Sequence, residues 1–190
     1  MMKNAKQLRL QLREKRRSLT AKQQLDSAQK LAISLANQLP KHTKRVALYL
    51  ASDGEVSPHL FIEHCWANNI EVYLPVLHPF CAGNLLFLRY EPSTKMTVNK
   101  YGISEPALNV QLVSPVNQLD IIYTPLVGFD NYGNRMGMGG GYYDRTLATN
   151  TSISTIGLAH DCQQVDRLSV QPWDMPLNKI ITPTQHINAN

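Results

Sequence analysis

Four glycines crowd into five positions at Gly137, Gly139, Gly140 and Gly141, within Arg135-Met136-Gly137-Met138-Gly139-Gly140-Gly141-Tyr142-Tyr143-Asp144-Arg145. Such a segment makes neither a stable helix nor a stable strand, because glycine has wide backbone freedom and no side chain to pack. An apolar run, Ile121-Ile122-Tyr123-Thr124-Pro125-Leu126-Val127, precedes it with the composition of a buried strand, and a helix-compatible stretch, 142–148, follows. A glycine-rich loop between strand and helix lets backbone N–H groups approach an anion, and the helix dipole favours negative charge there. Arg135 and Arg145 bracket the loop with positive charge, and Asp144 offers a hard oxygen ligand for a phosphate-bound Mg2+. The segment reads as a cradle for nucleotide phosphates. It is neither a P-loop nor a dinucleotide fingerprint: Tyr142 and Tyr143 replace the Lys and Ser/Thr of the first, and Tyr142 the third glycine of the second. A plain strand-to-helix turn needs one glycine, not a row of three.

The rest of the chain supplies a frame. Residues 3–18 read as a helix with Leu8 and Leu12 on one face and arginines around it. Thr20 is a candidate N-cap for a second helix bearing Leu25, Ala28, Leu31, Ala32, Leu35 and Leu39, stopped by Pro40. Apolar runs at 46–50, 71–75, 85–90, 121–125 and 153–158 read as strands, and 57–69 as a helix with Pro58 near its first turn. A loop-rich stretch covers 91–118, and the proline-bearing tail is expected to run extended over the domain. Strands alternating with helices predict an α/β fold, a three-layer, Rossmann-like single domain over residues 1–190 with a largely parallel central sheet. Residues 1–40 form a basic helical segment packed on it. Ligands in such sheets sit beyond the carboxyl ends of the strands, where the 52–55 loop and the glycine loop would both open.

Charge is concentrated. Residues 1–30 carry nine Lys and Arg against Glu14 and Asp26, whereas the remainder is slightly acidic. A nucleic-acid-binding protein wants a broad basic face, so that class is disfavoured, though a basic N-terminal helix keeps it as a rival. Cys65, Cys81 and Cys162 are widely spaced and form no C-x-x-C pair. Reduced thiols in a cytoplasmic protein are expected, with no signal peptide, membrane span or structural metal. No Ser-His-Asp or Cys-His arrangement is visible, which points away from a covalent nucleophile.

Three further groups carry alternatives. Glu55, after Asp53-Gly54, is either a solvated loop carboxylate or a ligand contact at a strand end. Asp174 either completes a Mg2+ shell with Asp144 or caps a turn in the proline-stiffened loop around it. Lys6 and Arg9 sit on a solvated helix face, or fold back onto nucleotide phosphates. Tyr142 and Tyr143 stack on a flat heterocycle or serve packing.

With these residues on the page, the sequence closely resembles the 5-formyltetrahydrofolate cyclo-ligase family. The match is carried by Leu8-Arg9, Arg16-Arg17 and Leu19, then Leu50 with Gly54-Glu55-Val56. It continues through Tyr101-Gly102-Ile103, Glu105-Pro106, Asp120-Ile121-Ile122 and the run 125–130. Its centre is Gly133-x-Arg135 through Arg145, and it ends with Gly157-Leu158-Ala159 and Trp173-Asp174. The resemblance implies ATP- and Mg2+-dependent closure of 5-formyltetrahydrofolate, with or without a polyglutamate tail, to 5,10-methenyltetrahydrofolate, releasing ADP and phosphate. It implies ATP contacts from Lys6, Arg9, Arg135, Met136, Gly137, Met138, Gly139, Gly140, Gly141, Tyr142 and Tyr143. It implies folate contacts from Leu50, Glu55 and the Met138-to-Tyr142 face, Mg2+ at Asp144 and Asp174, and catalytic roles for Arg135 and Tyr142. A monomer without nucleic-acid or membrane partners is expected. The chain departs from the family pattern at Ala5, where many members carry lysine, and at Met138, where some carry arginine.

Overall fold

The computed structural model of the protein describes residues 5–148 and 152–188. Helices α1 (Ala5–Arg17) and α2 (Ala21–Gln38) open it, followed by strand β1 (Arg45–Ala47), helix α3 (His59–Ala67), and strands β2 (Glu71–Leu77) and β3 (Leu85–Tyr90). Short strands β4 (Met96–Val98), β5 (Ser104–Pro106) and β6 (Val113–Ser114) lead to β7 (Ile121–Pro125). Then come β8 (Gly128–Phe129), β9 (Arg135–Met136), helix α4 (Tyr142–Ala148), β10 (Ser154–Leu158), β11 (Lys179–Ile181) and β12 (His186–Asn188). The first helix is as expected over its described part; residues 3 and 4 lie outside the described residues.

An eight-stranded sheet runs in the order β12-β11-β10-β7-β1-β2-β3-β6. Its centre, β11 through β2, is parallel. The strands outside that centre, β12 on one side and β3 with β6 on the other, run antiparallel to their neighbours. The period-two alternation of strand side chains sorts the core. Val46, Leu48, Ile121 and Tyr123 face Leu31 and Leu35 of α2 and Phe61, Ile62 and Cys65 of α3. Ala47 and Ile122 point the other way, onto Leu147 of α4. Helices therefore cover both faces, which makes the predicted α/β layering correct.

Local sequence explains the helix starts. Thr20 caps α2 through a capping box, its Oγ1 accepting from Gln23 N and its own N–H donating to the Gln23 side chain. Pro58 takes the cap position of α3 rather than its first turn, and the helix stops at Ala67, two residues short of Asn69, which has φ 57°. Leu25, at the start of the second turn of α2, is exposed.

Two expectations are corrected. The tail does not simply lie over the domain: 179–181 and 186–188 extend the sheet as β11 and β12, because Ile180 and Ile181 alternate between its two core faces. The glycine loop does not follow the strand β7 directly either. An antiparallel hairpin, β8 with β9, intervenes and carries Arg135 on its second strand.

A candidate phosphate and folate site at the carboxyl ends of the strands

Gly139 has φ +93° and Gly141 φ +64°, so the loop needs glycine at both for conformational reasons. Its carbonyls are held by arginines. Arg9 Nε donates to Gly137 O at 2.8 Å, and Arg145 donates to Gly140 O and, at 2.9 Å, to Gly83 O in the β2–β3 turn. The N–H groups of 137–141, by contrast, donate to no protein acceptor among the described residues. With the Gly137 and Gly140 carbonyls engaged by cations, the loop keeps N–H donors that an oxyanion could use. Arg145 is thus a brace for the loop rather than an open phosphate ligand.

Helix α1 closes over this region with Arg9, Arg13 and Arg16 on one face, at the i, i+4, i+7 spacing of neighbours on a helix. Arg9 meets the glycine loop. Arg13 Nε donates to Asp53 Oδ2 at 2.7 Å, and Arg17 also bonds Asp53. Arg16, with 0% of its side chain exposed, donates Nε to Asp53 O at 2.8 Å, NH2 to Asp53 Oδ2 at 2.8 Å and NH1 to Leu126 O at 3.1 Å. Burial would raise the Asp53 carboxyl, but hydrogen bonds from Arg13, Arg16 and Arg17 overcome it and hold the group down at about 2. One helix therefore joins the loop after β1 to the glycine loop.

Glu55 lies in the same loop as Asp53. Its Oε2 accepts from Ser52 N at 3.0 Å, and its Oε1 is 3.6 Å from Arg16 NH2. It is not a solvated carboxylate: its side chain is only 12% exposed, and burial raises its pKa despite the bond from Ser52 and the charge of Arg16. Burial, with the Glu55 charge as the next cause, also raises the Tyr143 hydroxyl. That coupling puts the start of α4 beside the 52–55 loop. Leu50 is partly buried and packs on the core that α2 and α3 cover.

Arg135 lies beneath the loop with 4% of its side chain exposed, its NH2 2.5 Å from Asp144 Oδ1. Its Nε is buried without a protein partner, and its guanidinium lies 6.0 Å from the centre of the Tyr143 ring. Burial lowers the Arg135 pKa, opposed by Asp144, Tyr143 and Asp174 in that order. Asp144 Oδ1 also accepts from Met175 N at 3.3 Å. Asp174 caps its own turn, Oδ2 accepting from Gln171 N at 2.8 Å. Among the described residues no cluster of three or more His, Cys, Asp or Glu is placed to hold a metal unaided. Two carboxylates, each with one oxygen in these contacts, fit a Mg2+ that arrives with phosphate oxygens, which is how that ion is usually held. Tyr142 is not packed into the core. Its hydroxyl meets Tyr101 OH at 2.8 Å, so the tip of the β4–β5 hairpin touches the glycine loop. Met138 is exposed on the loop, and Met136 is half-buried on β9.

The predicted residues Arg9, Glu55, Arg135, Gly137 through Tyr143, and Asp144 thus converge on one end of the sheet. Lys6 lies one turn before Arg9 on α1, exposed to solvent. The spacing argument missed Arg13 and Arg16, although their i+4 and i+7 offsets from Arg9 were a usable signal. Nothing in local spacing pairs Tyr101 with Tyr142.

Comparison with known proteins agrees over nearly the whole chain. The sequence model of the 5-formyltetrahydrofolate cyclo-ligase family matches residues 1–183. A 5-formyltetrahydrofolate cyclo-ligase of Haemophilus influenzae is 51% identical over 180 residues, 92% of this chain and 95% of that protein. The Escherichia coli protein of the same name is 47% identical over 179 residues, 92% of this chain and 97% of the relative. The fold is similar to that of Aquifex aeolicus 5,10-methenyltetrahydrofolate synthetase, with TM-score 0.82 and 28% identity over 97% of this chain and 92% of that one. The extent of these matches, together with the glycine-tyrosine loop and its arginine braces, shows that the chain belongs to the 5-formyltetrahydrofolate cyclo-ligase family.

Proposed function

We propose that the protein uses Mg-ATP to close 5-formyltetrahydrofolate to 5,10-methenyltetrahydrofolate, with ADP and phosphate as products. The observation that carries this reading is the glycine loop, two of its carbonyls held by Arg9 and Arg145 and its N–H groups not spent on protein acceptors among the described residues, at the same end of the sheet as a desolvated carboxylate at Glu55. The chemistry explains why a phosphate site and a folate site must adjoin. A formyl oxygen is a poor leaving group, so closure of the second nitrogen, N10, onto the formyl carbon would have to expel hydroxide. Transfer of the γ-phosphoryl group to that oxygen makes it a phosphate ester. Attack by N10 then forms the new C–N bond, N10 gives up its proton to solvent, and the C–O bond breaks to release phosphate. That attack is intramolecular, and holding the two nitrogens in register supplies much of its rate.

On this reading the residues have separate tasks. The N–H groups of 137–141 and the Arg9 guanidinium neutralise charge on the polyphosphate, as phosphoryl transfer requires. Mg2+, when bound with the nucleotide, would offset further phosphate charge beside Asp144 and Asp174. Arg135, with its buried unpartnered Nε, fixes Asp144. Glu55 accepts N–H groups of the pterin ring, Leu50 gives that ring an apolar contact, and Tyr142 with Tyr101 covers the loop. No side chain is needed as a covalent nucleophile. The test is direct: the protein, incubated with 5-formyltetrahydrofolate and Mg-ATP, should generate the absorbance of the methenyl product together with ADP. ADP release at the same rate without the folate would overturn the proposal.

A further inference from the structure

Arg16 has no solvent exposure and lies between two segments distant in sequence. Its guanidinium reaches the main chain and carboxylate of Asp53, the carbonyl of Leu126 just past β7, and the edge of Glu55. A buried cation costs several kcal/mol in desolvation unless its partners are well placed, and an apolar side chain of similar volume commonly serves stability as well or better. Asp53 does not need Arg16 for neutralisation, since Arg13 and Arg17 already bond it. Leu126 O has a second donor in Gln163 Nε2 at 2.7 Å. The Glu55 oxygen is different: Ser52 holds Oε2, and Arg16 NH2 is the nearest cation to Oε1.

The loop is also fitted tightly to this residue. A Cβ on Gly54 would lie 3.1 Å from Arg16 O, and Gly54 has φ +76°. Gln24 Nε2 bridges Arg16 O and Gly54 O at 3.2 Å each. The backbone of α1 and the backbone of the loop therefore share one register, set at Arg16.

We propose that Arg16 is a positioning residue for folate binding: its fork locks the 52–55 loop to the end of β7 and presents Glu55 as a charged acceptor. This rests on the assignment of Glu55 to the folate. Glu55 is faced by Arg13 and Arg16 from α1, Asp53 and Ser52 from its own loop, Tyr49 beyond β1 and Tyr143 from α4. Of these, only Arg16 combines full burial with a cation at Oε1.

The test is a two-residue cycle in the full-length protein. Glu55→Gln alone examines the folate assignment and should raise the folate KM about tenfold or more. Arg16→Lys keeps the charge and loses the fork, a change that is not conservative at a bidentate site. It should raise the folate KM by about tenfold with a smaller change in kcat, and move the acidic limb of kcat/KM upward by about half a pH unit. The double variant should be no worse than Glu55→Gln for folate, with no shift of the limb left to lose. Multiplying effects, or a folded Arg16→Lys with unchanged folate KM and pH limb, would overturn the positioning role while leaving Glu55 on the folate. A silent Glu55→Gln would overturn the folate assignment and with it the role of Arg16. Should Arg16→Lys not fold, Asp53→Asn poses the same question from the partner side; a severalfold rise in folate KM supports the role, and no rise overturns it.

Discussion

Two carboxylates in this molecule are each ringed by arginines, at opposite ends of the same sheet, and they do different things. Asp53, beyond the carboxyl end of β1, gathers Arg13, Arg16 and Arg17 from one helix, and one of those cations is wholly buried. Glu71, at the amino end of β2, pairs with Arg45 and Arg89 on the strands beside it, all three between 30% and 43% exposed. The first set ties a helix to two loops far away in sequence. The second ties neighbours that the sheet already holds. Water screens the Glu71 pairs, whereas it is largely excluded from Arg16, so similar ion pairs differ greatly in worth. Open clefts of about 440 and 780 Å3 flank the Glu71 end, both touching Arg89 and Glu91. Arg89, which lines both, is answered by Glu71 and Glu91. Volume alone does not mark the functional end of the sheet.

The contrast can be broken most sharply at the glycine loop. Gly139→Ala introduces a side chain at φ +93° where the new Cβ meets nothing closer than 3.6 Å, so only backbone strain is tested. A cost of about 1–3 kcal/mol in holding that conformation should lower kcat/KM for Mg-ATP by roughly one to two powers of ten. Ser93→Ala, in the clefts at the other end, should leave it within about twofold. Equal effects on steady-state kinetics would erase the distinction.

Next comes stability. Asp53→Asn leaves the buried Arg16 cation short of its anion and should cost about 3 kcal/mol in urea unfolding. Glu71→Gln should cost about 0.5 kcal/mol, most of it vanishing in 1 M salt. A Glu71 penalty as large as the Asp53 penalty would show that exposure is a poor guide here.

The smallest effect is the most specific. Because Asp53 is held below its ordinary value, at about 2, its charge contributes stability above pH 4 or so. That contribution is lost as pH falls from about 4 through about 2. The gap in urea midpoint between the wild type and Asp53→Asn should therefore be full at neutral pH and close across that acid window. A gap that stays constant down to pH 2 would assign the stabilisation to shape instead of charge.

The sequence made the glycine loop, the buried strands and the cap of α2 legible, because each is a local pattern. Thr20 with Gln23, and Val46 against Ala47, state their roles within a few residues. The tail strands were hidden because three-residue strands among prolines carry too little periodicity to stand out. The hairpin carrying Arg135 is shorter still. At the site, glycine content marked the loop and strand order placed Glu55 at the same end of the sheet, yet both the burial of Glu55 and the inward turn of Arg16 depend on packing between distant segments. The side chain that looks most soluble in the sequence, one of two adjacent arginines in a basic run, is among the least exposed in the fold.

That inward turn also sets an order of assembly. Arg9 and Arg16 leave a ribosome well before their acceptors at Gly137 and Leu126, which lie 128 and 110 positions later. Asp53 gives α1 an early seat through Arg13, Arg16 and Arg17, but the contacts to Gly137 and Leu126 wait for β7 and the glycine loop, because contacts of such long sequence separation form only once the intervening chain is closed. A nascent or truncated chain ending before Leu126 can bring α1 to the 52–55 loop, but it lacks the glycine loop to which Arg9 bonds.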